Sequence, residues 1–405
     1  MKQKNQYKVL VIPAWFNHQN KQDGIFIHQF CESLQKNGHL VSLLYLQIFS
    51  IKQFWKYFKP IRFSYSNNFN VIILKKIVYP LPKIFKSSVS FFKKSLVRKA
   101  ILVIEKEKFD IIHIQSVCNN ITPFLAYEIS KKLKIPFVVS EHYSSFKEAG
   151  NAIFYPYMDV NEVKKIVQNA NIRIGVSDYA CMKFEDFFEC KFLTFPNIVN
   201  EAFFKKSNLQ NLKDNKNFHF LIIAALEKHK GQSILLKAFK KAFSHEPNIY
   251  LNIIGKGSDE AQLKNEVCEL NLLERVKFTG SLSHEEIINE IDRSNIIVST
   301  SFYETFGLTI VEGFLRGNPV LSTRSGGPNE LINETNGLLC NVNDLEDLTK
   351  TLKKIFEIYR HFDYTKIQED AIKKFSPDTL ISNLVELYAL TSKPKELIQN
   401  LYERN

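Results

Sequence analysis

Short apolar runs alternate with longer segments of helical periodicity along almost the whole chain, and this alternation constrains the fold more than any other feature. Strand-like runs in the first half fall at Lys8–Ile12, Leu40–Leu46, Val71–Val78, Ile111–Gln115, Pro136–Ser140 and Ile172–Val176. Several are apolar at successive residues, as strands covered on both faces are. Helical patterns lie between them, at Ile25–Asn37, Ser88–Lys108 and Thr122–Lys132. The alternation predicts a parallel sheet with crossover helices.

The second half of the chain repeats this rhythm after a polar stretch at Asn197–Lys216. Its strand-like runs are Phe218–Ala224, Tyr250–Ile254, Val276–Thr279, Ile296–Ser299 and Pro319–Ser322. A chain of 405 residues is also too long for one ordinary core. We therefore predict an α/β fold of two Rossmann-like parallel-sheet domains that face each other across a cleft. The domains are expected at residues 1–197 and 198–377, with C-terminal helices at about 378–405 packing back on the first domain.

Positive charge is concentrated in the first half of the chain. Residues 1–200 carry 28 Lys and Arg against 14 Asp and Glu, whereas residues 201–405 carry 26 against 28. Residues 51–99 alone hold 12 Lys and Arg, no acidic residue and several aromatic ones. Such a surface suits an anionic membrane, because rings enter the interface while cations meet phosphates. Nucleic acid is an alternative partner, and a basic loop region over ordinary core aromatics is another.

The termini and cysteines favour a cytoplasmic protein. No apolar run approaches the ~18 residues that a spanning helix needs, and the short apolar run behind the polar N-terminus predicts a buried strand, not a signal peptide. Six scattered cysteines with no Cys-x-x-Cys pair are typical of reduced core thiols. Together with the basic stretch, these features predict a location on the inner face of the cell membrane.

The segment from Glu304 to Glu312 is the strongest candidate ligand site. A predicted strand ends near Ser299, Glu304 stands in the following loop, and Gly307 precedes a helical pattern. Ligands of parallel α/β folds bind at the carboxyl ends of strands. Unpaired amides of Phe306, Gly307 and Leu308 at a helix start would attract a diphosphate, and Glu312 could accept hydrogen bonds from a ribose. Taken alone, two glutamates at this spacing are more often solvated surface.

Other candidate residues follow other predicted strands. Lys230 begins a helix after the run Phe218–Ala224, where an ammonium group can neutralise a leaving phosphate. Gly24 starts the first helix and would let the backbone approach a phosphate or sugar closely. His142 stands just beyond the run Pro136–Ser140, at a strand end where catalytic residues collect. A solvated lysine and a structural histidine are the simpler alternatives.

Two common nucleotide motifs are absent. Gly255-Lys256-Gly257 resembles a dinucleotide fingerprint, but residue 260 is Glu where the third glycine is needed. No Gly-Lys-Ser/Thr phosphate loop occurs anywhere in the sequence. NAD and ATP chemistry are therefore not expected.

The order of these motifs resembles the family 4 glycosyltransferases, retaining enzymes of the GT-B fold, over nearly the whole chain. The similarity rests on many short matches in order: Gly24-Ile25-Phe26, Asn37-Gly38-His39, Glu141-His142, Pro196-Asn197, Lys230-Gly231, Gly255-Lys256-Gly257, Phe278-Thr279-Gly280, Glu304 with Phe306-Gly307 and Glu312, Pro319-Val320, Gly326-Gly327 with Glu330, and Asn336-Gly337.

The resemblance implies a role for each matching residue. Glu304 would contact the transferred sugar, and Glu312 the ribose. Lys230, the Gly24 loop and the amides of Phe306–Leu308 would hold the diphosphate. His142 would lie beside the sugar near the reaction centre. No metal or other cofactor is implied, and the donor would be a UDP- or GDP-linked sugar.

One position departs from the family pattern. Family members commonly carry Gly-Arg-Leu ahead of the Lys-Gly pair, and that arginine grips the diphosphate. Here the segment is Ala224-Ala225-Leu226, so Ala225 stands at the arginine position. Loss of a bidentate cation would weaken leaving-group stabilisation by ~2 kcal/mol unless Lys228, His229 or Arg324 compensates.

The sequence as a whole predicts a retaining, metal-independent glycosyltransferase of hexosyl type that extends a glycan or lipid-linked acceptor in bacterial surface polysaccharide or lipopolysaccharide synthesis. Two alternatives stay open. A nucleotide-sugar epimerase or hydrolase of the same fold would need no acceptor. A non-catalytic basic protein would bind nucleic acid instead, although the donor motif argues against nucleic acid as a partner.

Overall fold

The computed structural model describes residues 6–16, 24–50, 62–65, 69–78, 86–118, 121–142, 158–205 and 217–403. The chain divides into two compact units. The first consists of Met1–Ile198 with Asp378–Asn405, and the second of Val199–Pro377. Within the described ranges, no helix has the length and apolar character needed to span a bilayer.

The first unit is built on a sheet of eight strands in the order β3-β4-β2-β1-β5-β6-β7-β8. The strands are β1 (Lys8–Pro13), β2 (Leu40–Ser50), β3 (Arg62–Tyr65), β4 (Asn70–Val78), β5 (Ile111–Gln115), β6 (Phe137–Glu141), β7 (Ile172–Gly175) and β8 (Leu193–Thr194). All neighbours pair in parallel except β3, which runs antiparallel to β4 at the edge. The predicted parallel sheet is confirmed, and β3 and β8 are additions to it.

Seven helices of the first unit connect or cover these strands in the described residues. They are α1 (Ile25–Lys36), α2 (Lys86–Ile104), α3 (Thr122–Leu133), α4 (Val160–Gln168) and α5 (Asp178–Phe188), with α13 (Pro377–Leu390) and α14 (Lys395–Glu403) from the C-terminus. The helix α2 ends earlier than predicted, because Glu105–Glu107 tighten into a 3₁₀ turn and Lys108 adopts a left-handed conformation.

The two C-terminal helices complete the core of the first unit. Leu380, Leu384 and Tyr388 of α13 are buried in one cluster with Val9 and Val11 of β1. The Tyr388 hydroxyl lies 2.6 Å from His113 Nδ1 on β5, and the Tyr402 hydroxyl accepts a 2.8 Å hydrogen bond from the amide of Arg173 on β7. The helices α13 and α14 therefore complete the core of the first unit, although they follow the second unit in the sequence.

The second unit has a fully parallel six-stranded sheet in the order β11-β10-β9-β12-β13-β14. Its strands are β9 (Phe218–Ile223), β10 (Ile249–Ile254), β11 (Val276–Gly280), β12 (Ile296–Ser299), β13 (Val320–Thr323) and β14 (Gly337–Cys340). Its helices are α6 (Gln232–Ala242), α7 (Glu260–Glu269), α8 (His284–Arg293), α9 (Leu308–Leu315), α10 (Pro328–Leu331), α11 (Leu345–Ile358) and α12 (Tyr364–Phe375). The sequence rhythm did not reveal β14, a four-residue strand that starts at a glycine.

The glycines of the rejected dinucleotide motif have a packing role. A Cβ at Gly255 would lie 1.9 Å from the carbonyl oxygen of Ala224, and one at Gly257 would lie 2.2 Å from that of Leu226. The loops after β9 and β10 therefore run against each other with no room for side chains at these two positions. Glycine is required here for the close approach of two backbones.

Candidate active site

Lys230 and Glu304 form an ion pair in the second unit. Lys230 Nζ lies 2.8 Å from Glu304 Oε2, and each side chain keeps about a fifth of its surface exposed, at 21% and 22%. Lys230 ends a single 3₁₀ turn after β9, and Glu304 stands in the loop between β12 and α9. Because β9 and β12 are neighbours in the sheet, two candidates that are 74 residues apart in sequence meet at one sheet edge.

Backbone contacts hold the two loops of this ion pair together. The amide of Phe302 donates to the carbonyl of His229 at 2.7 Å, and Thr300 Oγ1 donates to the carbonyl of Lys230 at 2.9 Å. Gly231 has φ +71°, and a Cβ there would lie 2.2 Å from the Thr300 carbonyl oxygen. The Lys-Gly pair is thus explained locally: glycine lets the loop close on its neighbour, and that closure positions the lysine.

Gly307 begins the helix α9 in a left-handed conformation, with φ 95° and ψ 58°. Its carbonyl accepts hydrogen bonds from the amides of Ile310 and Val311. In the described part of the chain, the amides of Gly307 and Leu308 donate no hydrogen bond, as expected for the first turn of a helix. Phe306 is buried, with its ring 6.1 Å from that of Phe375 on α12. This helix start has the donors and the dipole that an anion needs.

Glu312, one turn into α9, is buried although it carries a carboxyl group. Its exposure is 6%, and removal from water raises the pKa of Glu312 to about 8. No hydrogen bond or ion pair to this carboxyl occurs among the described residues. Burial of an acid without a cation costs free energy, and acids with strongly shifted pKa values are concentrated at functional sites.

Arg316, which the sequence analysis did not single out, fixes the helix that carries these groups. It is 3% exposed, and its guanidinium meets both carboxylate oxygens of Asp292 on α8 at 2.7 Å. It also donates to the carbonyls of Phe203 and Lys205. Bidentate pairing of this kind sets position as well as energy. Nothing in the sequence around Arg316 indicates this positioning role.

Stacked rings flank the ion pair and were likewise not predicted. The rings of His229 and Tyr303 lie 5.0 Å apart at an angle of 10°, directly before Lys230 and Glu304 in each loop. Tyr303 is 39% exposed. Burial, followed by the charge of Lys230, lowers the pKa of His229. A neutral imidazole is therefore favoured at neutral pH, and His229 is a poor substitute for the family arginine.

Ala225 lies on the surface at the carboxyl end of β9, in the loop that packs against Gly255 and Gly257. Its carbonyl accepts a 2.8 Å hydrogen bond from Gln232 Nε2. Lys228 and Arg324, two other candidates for the missing cation, are both exposed. Neither forms an ion pair within the described residues, so both ammonium and guanidinium groups are available to an anion.

In the first unit, Gly24 begins α1 with φ 80°, a left-handed conformation that favours glycine. Its carbonyl accepts from the amide of Ile27 at 2.9 Å. Beside it, the ring of Phe26 packs 5.6 Å from Trp15 and 4.6 Å from His142. The fold therefore brings Gly24 and His142 to one edge of the first sheet. Gln22 and Asp23, which directly precede Gly24 in the sequence, lie outside the described residues.

His142 is held by a hydrogen bond of 2.8 Å between its Nε2 and Gln115 Oε1. Because Gln115 accepts through its carbonyl oxygen, Nε2 carries the proton. Burial lowers the pKa of His142 to about 4, and a hydrogen bond to Asn197 opposes this shift. The imidazole is thus neutral near pH 7. A neutral ring can orient sugar hydroxyls but contributes no full positive charge.

Glu141 supports His142 from behind and was not predicted as a separate feature. Its buried carboxylate accepts hydrogen bonds of 2.7 Å from Ser116 Oγ, from the amide of Val117 and from the amide of His142. Ser116 has φ 66°, an uncommon conformation for a residue with a side chain. The carboxylate ties the ends of β5 and β6 together at the residue that precedes the histidine.

Among the described residues, no group of three or more His, Cys, Asp and Glu side chains is arranged to hold a metal ion. Metal independence stays a prediction. The basic stretch 51–99 is described only in part, because residues 51–61, 66–68 and 79–85 lie outside the described ranges.

Two family models match adjoining parts of the chain. The model described as "Glycosyltransferase Family 4" matches residues 24–202, and that described as "Glycosyl transferases group 1" matches residues 203–374. An uncharacterized glycosyltransferase of Methanocaldococcus jannaschii is 28% identical over 68% of this chain and 72% of its own length. An N-acetyl-alpha-D-glucosaminyl L-malate synthase of Bacillus anthracis is 24% identical over 73% of this chain and 78% of its own.

Solved structures share the fold. A glycosyltransferase of Rickettsia africae has a TM-score of 0.69 at 20% identity and covers 96% of this chain and 99% of its own. HepE of Anabaena, crystallised with UDP, has a TM-score of 0.69 at 18% identity over 94% of this chain and 99% of its own. The predicted pair of Rossmann-like domains is confirmed.

Proposed function

The chain belongs to the group 1 glycosyl transferases with a family 4 N-terminal domain, and on that premise we propose that it is a retaining, metal-independent hexosyltransferase acting on a nucleotide-diphosphate sugar. The observation that carries the proposal is the constellation in the second unit. A lysine-glutamate pair, a helix start with free amides and a buried, unpaired glutamate occupy one sheet edge.

Each part of this constellation suits one part of the donor. The Glu312 carboxyl group hydrogen-bonds with ribose hydroxyls, which supplies the partners that the buried acid needs. Lys230 and the amides of Phe306, Gly307 and Leu308 neutralise the diphosphate. Glu304 accepts hydrogen bonds from hydroxyls of the transferred sugar. UDP in the solved structure of HepE supports a uridine or another nucleoside diphosphate as the carrier.

The first unit offers its own ligand groups. His142 can orient a sugar as a neutral ring, and the start of α1 at Gly24 offers backbone donors to a phosphate or sugar. In the transfer step, the bond between the anomeric carbon and the diphosphate oxygen breaks on the face that the acceptor hydroxyl attacks. The acceptor oxygen bonds to the anomeric carbon, and its proton passes to the departing diphosphate. The configuration is retained.

We propose a glycan or lipid-linked acceptor of bacterial surface polysaccharide or lipopolysaccharide synthesis, reached at the cytoplasmic face of the cell membrane. The net charge of +12, concentrated in the first half of the sequence, supports an anionic surface as the partner and argues for a peripheral enzyme. Nucleic acid is not proposed as a partner.

A donor screen followed by product analysis tests the proposal. UDP-, GDP- and ADP-sugars are compared for thermal stabilisation, since a bound donor raises the melting temperature. The best donor is then incubated with and without lipid-linked acceptors, in buffer containing EDTA, and the anomeric configuration of the product is read by NMR. Acceptor-dependent transfer with retention supports the proposal. Free sugar or an epimerised donor without acceptor would favour the hydrolase or epimerase, and requirement for a divalent ion would overturn metal independence.

A further inference from the structure

The helix α2 of the first unit has an outer face that combines exposed apolar and cationic side chains. Phe91 is 76% exposed and Leu102 60% exposed, both high values for large apolar residues. They are separated by 11 positions, which places them about 20° apart around the helix and about 16 Å apart along it. The exposed cations Lys94, Arg98 and Lys99 lie between them in sequence. We call these five residues the α2 face.

The inner side of the same helix is already used for packing. Leu96, Val97, Ala100 and Ile104 are buried in the unit. Lys93 also turns inward, where it binds Glu162 at 2.8 Å and lies 4.6 Å from the ring centroid of Phe124. The helix α2 therefore already has a full set of apolar side chains that pack inward. Phe91 and Leu102 are additional apolar side chains on its exposed side.

Charge on the α2 face is of one sign. The helix contains no acidic residue from Lys86 to Ile104. In the part of the chain that the structure describes, Lys94, Arg98 and Lys99 form no ion pair, in contrast to Lys93. Two exposed apolar side chains with three unpaired cations between them match a surface with an apolar interior and anionic headgroups.

We propose that the α2 face docks the protein on an anionic lipid bilayer, with Phe91 and Leu102 entering the interface and Lys94, Arg98 and Lys99 meeting lipid phosphates. The proposal assigns a surface of the protein to the membrane partner of the proposed function. It rests on the proposed function only for the purpose of docking, which is access to a lipid-linked acceptor. Each cation near such a surface and each apolar side chain buried in it adds to the free energy of membrane binding. A duplex nucleic acid would use the cations and leave the apolar side chains without a partner.

Flotation with vesicles tests the α2 face in the full-length protein. The probes are vesicles of phosphatidylcholine alone and of phosphatidylcholine with phosphatidylglycerol. The wild type is expected to float with the anionic vesicles only. Phe91→Ser with Leu102→Ser, and separately Lys94→Glu with Arg98→Glu, are each expected to weaken binding by at least about tenfold. All four positions are exposed, so thermal melting should stay unchanged in both variants.

Matched controls use the same chemistry in the second unit. Leu273 is 64% exposed, and Lys353 and Lys354 are exposed on α11. Leu273→Ser and Lys353→Glu with Lys354→Glu should leave vesicle binding within twofold of the wild type. The proposal is overturned if the wild type ignores anionic vesicles, if Phe91→Ser with Leu102→Ser binds them normally, or if the controls lose binding equally. Duplex DNA binding as tight as vesicle binding and indifferent to Phe91 and Leu102 would overturn it in favour of nucleic acid.

The same variants separate this inference from the proposed function. Nucleotide-sugar binding is measured by thermal shift and does not involve the α2 face. Vesicle binding without any stabilising nucleotide sugar would sink the proposed function and leave the docking surface standing. Donor binding without vesicle binding would overturn the docking surface and leave the proposed transfer activity supported.

Discussion

Lys230 Nζ lies 2.8 Å from Glu304 Oε2, so the cation assigned to the diphosphate and the acid assigned to the sugar are each other's ion partner. The pair is partly exposed, and such pairs stabilise a fold by ~1 kcal/mol or less. The Lys230–Glu304 pair matters because it places two opposite charges side by side at a sheet edge. Substitution of either residue should therefore affect transfer much more than folding.

Lys230→Ala and Glu304→Ala are each expected to lower kcat by at least about 100-fold, as loss of one group that stabilises a developing charge does. Steady-state kinetics with the best donor provide the measurement, and melting temperatures should stay within a few degrees of the wild type. Lys264→Ala is the matched control, because Lys264 forms a 2.7 Å ion pair with Glu260 on the surface helix α7. Unchanged turnover in both site variants would contradict the assignment.

Glu312→Gln should stabilise the protein and abolish donor binding. The folded-state pKa of Glu312 is about 8, above the ordinary value of 4.5, so its contribution to stability is fully present below pH 4.5 and is lost as pH rises through 8. The variant has no such loss. Its melting temperature should exceed that of the wild type by several degrees at pH 8.5, with the difference shrinking toward pH 5. A difference independent of pH would show that burial does not raise this pKa.

Gln115→Glu should raise the pKa of His142 from about 4 by about one to three units, so that the imidazolium forms at pH values where the wild-type ring is neutral. His142 Nε2 donates to Gln115 Oε1 at 2.8 Å, and a carboxylate at that distance raises a histidine pKa by a unit or more. NMR titration of the imidazole gives the pKa directly. The pH profile of kcat should acquire a new step in the same range. A His142 pKa that stays near 4 in the variant would contradict the hydrogen-bond assignment.

Arg316→Ala should destabilise the second unit by ~3 kcal/mol, because it leaves Asp292 and two backbone carbonyls without their buried donor. Donor affinity should fall as well, since α9 carries both the helix start and Glu312. Chemical denaturation and nucleotide titration measure the two effects. Arg293→Ala, at a neighbouring arginine whose side chain is 77% exposed, should change neither.

Tyr388→Phe should lower the stability of the first unit by ~1–3 kcal/mol. The change removes the hydroxyl that lies 2.6 Å from His113 Nδ1, and burial already lowers the pKa of His113 to about 3, so this nitrogen cannot gain a proton instead. Thermal melting measures the loss, with Tyr127→Phe on α3 as a control at a half-buried tyrosine. Equal melting temperatures for both variants would show that the hydrogen bond has no net value.

The sequence predicted the central strands and singled out Lys230 and Glu304 as candidates because both inferences depend on local signals. Continuous apolar runs identify strands buried on two faces, and Lys230 and Glu304 follow such runs directly. The same reasoning missed β8 and β14, which have two and four residues and too few positions to show a pattern. A strand of this length is defined by its neighbour in the sheet, not by its own composition.

Residues that act across elements could not be found in the same way. The Arg316–Asp292 pair, the His229–Tyr303 stack and the carboxylate of Glu141 depend on which strands are adjacent, and adjacency is set by the whole sheet. The burial of Glu312 could not be predicted from the sequence either. An acid one turn into a helix is typical of a solvated face, and only the fold shows that this turn points inward.

The helices α13 and α14 impose an order on folding during synthesis. Residues 199–377 are continuous in the chain, so the second unit can fold as soon as it leaves the ribosome. The first unit is made earlier but lacks Leu380, Leu384 and Tyr388 until translation has passed the second unit. Its apolar core is therefore incomplete until α13 and α14 are available. The unit that is synthesised first therefore completes its core last. A nascent chain stalled before residue 378 would expose the incomplete core to chaperones and proteases.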